Sequence, residues 1–80
     1  MYILGDIGNT ETKVCIVSKK NKILKKITFL SKSVNIKQLN SLFKKNKIQL
    51  NKIEKILFCS VVPSTFKIIK KFLSKKIKVN

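Results

Sequence analysis

The spacing of apolar residues changes once along the chain, and this change limits the folds that the chain can adopt. Up to residue 30, short runs rich in apolar and β-branched residues predict three strands, at Tyr2–Ile7, 11–18 and Ile23–Leu30. Gly8-Asn9-Thr10 and the polar segment 19–22 separate these runs and predict tight turns. This part of the chain therefore predicts a three-strand antiparallel meander.

From residue 33 onward, apolar residues recur three and four positions apart, as in amphipathic helices. One helix is predicted over residues 33–46, capped by Ser33 or Asn35, and a second helix begins at Pro63. Residues 55–62 predict a buried strand, and residues 77–79 predict the start of another. The predicted order is β-β-β-α-β-α-β in one α/β domain over residues 1–80, a mixed sheet with helices on its faces. The apolar stripes of the two helices contain Ile36, Leu39, Leu42 and Phe43, and Phe66, Ile69, Phe72 and Leu73.

The strand sequences also predict the surroundings of each strand. Tyr2–Ile7 is almost entirely apolar, which predicts a central strand covered on both faces. In the second strand, Thr12, Val14 and Ile16 share one face. Lysines in the middle of the third strand predict an edge strand, because lysine opposes edge-to-edge pairing.

The composition of the chain excludes several kinds of active site. The 80 residues include 19 Lys, no Arg, no His and three acidic residues, which gives a net charge of +16. Without histidine, the chain builds neither a His-containing catalytic triad nor a His-based zinc site. The charge attracts nucleic acid, so a small basic nucleic-acid-binding protein is one hypothesis. Arginine makes the best bidentate phosphate contacts, and its absence leads us to favour a lysine-rich surface that reflects an A+T-rich coding sequence.

The cysteines and the apolar runs bear on the cellular compartment. Cys15 and Cys59 lie far apart in apolar segments and predict two buried free thiols, with a disulfide or a shared metal as the alternative. The longest apolar run, residues 56–62, is far shorter than the ~20 residues of a membrane-spanning helix. The N-terminus shows no signal-peptide pattern, so we expect a cytoplasmic protein without a membrane partner.

The segment Asp6-Ile7-Gly8-Asn9-Thr10, between the first two predicted strands, carries the main functional signal. Asp6 ends a strand that is predicted to be buried, where a carboxylate requires a cation or hydrogen-bond donors. Gly8 can adopt a positive φ, and successive amides in such a turn can hold phosphate oxygens. Together with nearby threonine hydroxyls and Lys13, the segment predicts a site for a magnesium-bound nucleotide phosphate. The alternative is a hairpin turn in which Asp6 caps local amides.

The order of elements and this turn together resemble the opening half-domain of the ribonuclease H-like, actin-like ATPase superfamily. Asp6-Ile7-Gly8-Asn9-Thr10 resembles the phosphate-binding opening of type III pantothenate kinases, and Cys59-Ser60-Val61-Val62-Pro63 is similar to the Ser-Val-Val-Pro that ends that family's fourth strand. The resemblance implies transfer of the ATP γ-phosphate to pantothenate, the first step of coenzyme A biosynthesis. It also implies Mg²⁺, a monovalent cation (K⁺ or NH₄⁺) and a homodimer. It places the ATP phosphates at Asp6, Ile7, Gly8, Asn9, Thr10, Glu11, Thr12 and Lys13, with magnesium at Asp6 through a phosphate or water.

Part of the family pattern is missing from these 80 residues. The family's Gly-x-Asp-Arg motif, which supplies the catalytic base, cannot occur in a chain that has no arginine. We therefore expect no catalytic general base here and interpret the chain as an incomplete N-terminal lobe, truncated at its last strand and inactive alone. The Asp-x-Gly-x-Thr turn is common to the superfamily, so another kinase or a non-catalytic ATP-binding module is an alternative.

Overall fold

A computed structural model describes residues 1–76, so the strand predicted over residues 77–79 lies outside the described residues. The other elements occur in the predicted order, with a short 3-10 helix added before the fourth strand. Their bounds are β1 Tyr2–Ile7, β2 Glu11–Val17, β3 Ile23–Leu30, α1 Ile36–Lys45, the 3-10 helix Leu50–Lys52, β4 Lys55–Ser60 and α2 Pro63–Lys76.

The four strands form one mixed sheet in the order β3-β2-β1-β4. β1 is antiparallel to β2 and parallel to β4, and its last residue, Ile7, lies opposite Thr12 and Ser60. The carboxyl ends of β1 and β4 therefore meet beside the β1–β2 turn. In the described part of the chain, β3 is an edge strand, as its lysines predict. The sheet and the two helices confirm the α/β class and are compatible with the predicted half-domain.

Both helices pack against the same face of the sheet. Thr12, Val14 and Ile16 share this face, as predicted, and all three are buried. Phe43 of α1 and Phe72 of α2 meet edge to face, with ring centroids 5.1 Å apart. Removal of these apolar side chains from water holds the two layers together. The buried cluster includes Ile3, Ile7, Val14, Ile16, Ile27, Phe29, Leu39, Phe43, Ile69, Phe72 and Leu73.

The opposite face of the sheet is uncovered within residues 1–76, so two predictions are wrong: that β1 is covered on both faces, and that residues 55–62 form a buried strand. Leu4 on β1 is 41% exposed, and its neighbour Leu57 on β4 is 64% exposed. An apolar run shows that the side chains of a strand are hydrophobic, but it does not show which faces of the strand are covered. The covered faces depend on where the helices pack, and both described helices pack on one side of the sheet.

Local hydrogen bonds define both ends of α1. Asn35, one of the two predicted caps, accepts a bond at its side-chain Oδ1 from the Gln38 N–H over 2.8 Å. At the other end Lys47 has a φ of 54°, and the Ile48 N–H donates to the Phe43 carbonyl over 3.1 Å. This is a Schellman end in which lysine occupies the position that glycine favours. Neither helix within residues 1–76 combines the length and apolar character needed to cross a bilayer.

Candidate functional site

The turn between β1 and β2 lies at the carboxyl end of the central strand. The Gly8 N–H donates to the Glu11 carbonyl over 3.0 Å, which closes the turn as a hairpin connection. The Val61 N–H, directly after β4, donates to the Ile7 carbonyl over 3.1 Å. The two segments that the sequence singles out, residues 6–10 and 59–63, therefore lie side by side.

Gly8 is needed for space rather than for an unusual backbone angle. No glycine in the described chain has a positive φ, so that part of the prediction for Gly8 is wrong. A Cβ atom at Gly8 would lie 3.0 Å from the Glu11 carbonyl oxygen, closer than side chains normally approach. A larger residue would push the two sides of the turn apart.

Two adjacent backbone amides of the turn are free to bind an anion. Within residues 1–76, the N–H groups of Asn9 and Thr10 have no hydrogen-bond acceptor, and both residues are exposed. The Gly8 N–H is already bonded to the Glu11 carbonyl. A phosphate at this turn would therefore meet two of the three predicted amides.

Ser31, which directly follows β3, connects the turn to the rest of the fold. Its N–H donates to the Thr10 carbonyl over 2.9 Å, and its hydroxyl donates to the Gly8 carbonyl over 2.6 Å. The Thr12 and Ser31 hydroxyl oxygens are 2.7 Å apart, and the Thr65 hydroxyl donates to the Ser31 carbonyl over 2.7 Å. Ser31 is thus bonded through every polar group that it has.

Ser31 is not among the site residues that the sequence predicts, although two threonines indicate a polar partner at its position. Thr12 lies on the core face of β2, and Thr65 is buried in the first turn of α2, four positions before the buried Ile69. Buried hydroxyl groups almost always have hydrogen-bond partners. A search for the partner of Thr12 leads to polar residues at the end of the adjacent strand, where Ser31 lies.

Asp6 and Lys13 are opposite each other across β1 and β2, on the uncovered face of the sheet. Both side chains are exposed, so the prediction of a buried Asp6 is wrong. In the described residues, neither side chain takes part in an ion pair. A shallow cavity of about 350 Å³ on this face is lined by Leu4, Gly5, Asp6, Lys13, Cys15, Lys26, Leu57 and Cys59.

The remaining predicted site residues separate into buried and exposed groups. Ile7 and Thr12 are fully buried on the helix side of the sheet, whereas Glu11 is exposed. The Thr12 hydroxyl is bonded to Ser31 and so supports the turn from inside. The residues that the structure brings to the surface around the turn are Asp6, Asn9, Thr10, Glu11 and Lys13.

The cysteines and acids define what metal chemistry this part of the chain can support. Both cysteines are free thiols, but Cys59 is exposed and Cys15 is half-buried, so the prediction that both are buried is wrong. Among the described residues, no group of three His, Cys, Asp or Glu side chains is placed to hold a metal ion. A metal ion at the turn would therefore take most of its ligands from a bound phosphate and from water.

Comparison with known proteins identifies the family. A family model described as type III pantothenate kinase matches residues 2–80. The chain is 46% identical over 79 residues to a type III pantothenate kinase of Pelagibacter ubique (strain HTCC1062). The match covers 99% of this chain and 32% of that relative, so the chain spans about a third of the relative's length. This chain belongs to the type III pantothenate kinase family.

Proposed function

We propose that this chain supplies the phosphate-binding part of an enzyme that phosphorylates pantothenate with ATP, the first step of coenzyme A biosynthesis. The observation that carries the proposal is the pair of free amides at Asn9 and Thr10, in the turn that follows β1, whose carboxyl-terminal end carries the exposed Asp6, in a chain that belongs to this family. Free amides bind phosphate oxygens, and a carboxylate binds magnesium or its water. The end of β1 and the turn that follows it therefore offer both groups that a magnesium nucleotide requires.

Each exposed residue of the turn has a role in this proposal. The Asn9 and Thr10 amides and the Thr10 hydroxyl donate to phosphate oxygens of ATP. Asp6 holds magnesium directly or through water, and Lys13, opposite it in the sheet, offsets phosphate charge. Magnesium, when bound, neutralises charge on the phosphoryl group during transfer. The other residues of the predicted site maintain the shape of the turn: Ile7, Gly8, Glu11 and Thr12.

The catalytic base is proposed to come from outside these 80 residues. Besides Asp6 and Glu11, the chain has one other acid, Glu54, which is 3.1 Å from both the N-terminal amine and the Lys19 amine. We place the base and the pantothenate pocket in the two thirds of the relative's length that this chain does not span. The K⁺ or NH₄⁺ ion, the homodimer and the cytoplasmic location stay predictions.

The proposal is tested with the full-length protein that contains this chain. Purified protein is incubated with Mg-ATP and either pantothenate or a panel of sugars, and ADP release is measured. We expect ADP release that depends on pantothenate and background rates with the sugars. Turnover of a sugar in place of pantothenate would establish the alternative kinase, and ATP binding without turnover of any acceptor would favour a non-catalytic module.

The distribution of charge supports nucleic-acid binding as a second candidate. α1 carries three lysines and α2 carries five, and neither helix sequence contains an acidic residue. Electrostatic binding to DNA or RNA weakens steeply as salt rises from about 50 to 200 mM. A gel-shift titration over this range is the test. Absence of binding at the lower salt concentration would reject this candidate.

A further inference from the structure

We propose that Ser31 is a positioning residue for ATP, which holds the β1–β2 turn so that its free amides face the phosphates. The proposal rests on the proposed function, because it assigns this turn to ATP. Ser31 is only 1% exposed, so it acts through the turn rather than by touching the nucleotide. Its hydrogen bonds to Gly8 and Thr10 hold the turn on both sides of Asn9.

The bond from Ser31 to Gly8 sets the direction of the Asn9 amide. A peptide unit is planar and trans, so its C=O and N–H point in opposite directions. The Gly8 carbonyl belongs to the same peptide unit as the Asn9 N–H. Because the Ser31 hydroxyl donates to that carbonyl over 2.6 Å, the carbonyl points toward Ser31 and the Asn9 N–H points away from it.

Only one assignment of donors and acceptors is possible for the hydroxyl groups of Ser31 and Thr12. A serine hydroxyl has a single proton, and that of Ser31 is donated to the Gly8 carbonyl. The Thr12 hydroxyl is therefore the donor in the 2.7 Å bond between Thr12 and Ser31. Thr12 is fully buried, so loss of the Ser31 hydroxyl leaves a buried donor without its partner and frees the Gly8 carbonyl to rotate.

Thr65 connects this arrangement to α2. Its hydroxyl donates to the Ser31 carbonyl over 2.7 Å, and both residues are buried. Thr65 lies in the first turn of α2, so Ser31 joins that helix to the β1–β2 turn. Replacement of Thr65 by valine removes this donor at nearly constant shape, whereas replacement by serine keeps it.

The test measures kcat and the KM values for ATP and pantothenate in the full-length protein that contains this chain. Ser31→Ala is compared with Ser33→Ala, a matched control at an exposed serine. We expect Ser31→Ala to raise the KM for ATP about tenfold, as for the loss of one buried hydrogen bond, and to leave the KM for pantothenate within about twofold. Ser33→Ala is expected to leave both values unchanged. Thr65→Val is expected to raise the KM for ATP, and Thr65→Ser to restore it.

A merely structural role for Ser31 predicts a different pattern. A smaller folded fraction lowers kcat at constant KM, and general loosening raises both KM values together. Either pattern, or an unchanged KM for ATP, would overturn the proposal. If Ser31→Ala does not fold, the two Thr65 variants decide the question by the same criterion.

Failure of the proposed function is recognised separately. If the wild-type protein does not turn over pantothenate, Mg-ATP affinity is measured by calorimetry instead of KM. Weaker Mg-ATP binding by Ser31→Ala than by Ser33→Ala would then still support the positioning role. Equal binding by the two variants, or no binding by the wild type, would overturn it.

Discussion

The aromatic ring of Phe58 occupies the space that a side chain at Gly5 would fill. The two residues are neighbours in the register between parallel strands β1 and β4. A Cβ atom built on Gly5 would overlap the Phe58 ring. The ring in turn meets Phe66 of α2 edge to face, with centroids 6.4 Å apart. The absence of a side chain at Gly5 thus allows β4 and α2 to pack closely on the central strand.

Gly5→Ala is expected to destabilise the fold by about 1–3 kcal/mol, the usual cost of overpacking a core. The measurement is urea-induced unfolding followed by circular dichroism. The same substitution in a Phe58→Leu background should cost less, because the smaller side chain leaves room for the methyl group. Equal costs in the two backgrounds would show that the contact with Phe58 is not the cause.

Asp6→Ala is expected to abolish Mg-ATP binding without unfolding the protein. The carboxylate is exposed, so we expect the free energy of unfolding to change by about 0.5 kcal/mol or less. Calorimetric titration of the full-length protein with Mg-ATP is the measurement. Glu54→Gln removes the same charge far from the turn and is the control, with an unchanged affinity expected. An unchanged affinity in Asp6→Ala would remove Asp6 from the proposed site.

The ion pairs of Glu54 predict how stability depends on pH. Hydrogen bonds from Lys19 and from the N-terminal amine lower the pKa of Glu54 below its ordinary 4.5, and Glu54 raises the pKa of Lys19 above 10.5. A lowered carboxyl pKa stabilises the folded state above the unfolded pKa, and this contribution is lost as pH falls through the folded pKa. The Lys19 contribution is present below 10.5 and is lost as pH rises through its folded pKa.

Melting temperatures of the wild type and Glu54→Gln over a range of pH values test this expectation. The difference in melting temperature between the two proteins should be constant near neutral pH. It should disappear in acid below pH 4.5 and in strong base above pH 10.5. The difference should be small, because the side chains are half-exposed or exposed. A difference that does not vary with pH would exclude the ion pairs as its source.

Lys47→Gly is expected to stabilise the protein by about 0.5–1 kcal/mol. Glycine has no Cβ atom, so it adopts the left-handed region without the unfavourable contact between Cβ and the following carbonyl oxygen. Lys47, which follows the α1 cap residue Asn46, has a φ of 54°. Lys44→Gly, in the last turn of the helix, is the matched control and should destabilise by about 0.5–1 kcal/mol. Urea unfolding of both variants is the measurement. A loss of stability in Lys47→Gly would contradict the prediction.

The isolated 80-residue chain is expected to self-associate through the uncovered face of its sheet. Leu4 and Leu57 are neighbours there and are both substantially exposed. Such apolar surface favours association in water. Leu57→Lys should shift the chain toward the monomer, as measured by sedimentation velocity at matched concentrations. A wild-type chain that sediments as a monomer at high concentration would show that this face does not cause association.

Patterns local in the sequence were sufficient to predict most elements. Leu39 and Phe43 lie four residues apart, so α1 was predictable from helical spacing, and Asn35 was predictable as its cap from side-chain chemistry. The β1–β2 turn was predictable from Gly8 and Asn9, because both residue types favour turns. These features depend on residues within a few positions of one another, and such interactions leave a readable pattern.

The sequence by itself determined the order of strands and helices, the apolar stripes of the two helices and the β1–β2 turn after Asp6. Each of these features follows from backbone preferences and short-range spacing. The tertiary structure alone decided that both described helices cover one face, which leaves Asp6 and Cys59 exposed. It also decided the role of Ser31, whose hydroxyl-bearing partners lie 19 and 34 residues away in the chain. Burial and hydrogen-bond partners depend on which distant segments meet in space, and that meeting leaves no periodic pattern along the chain.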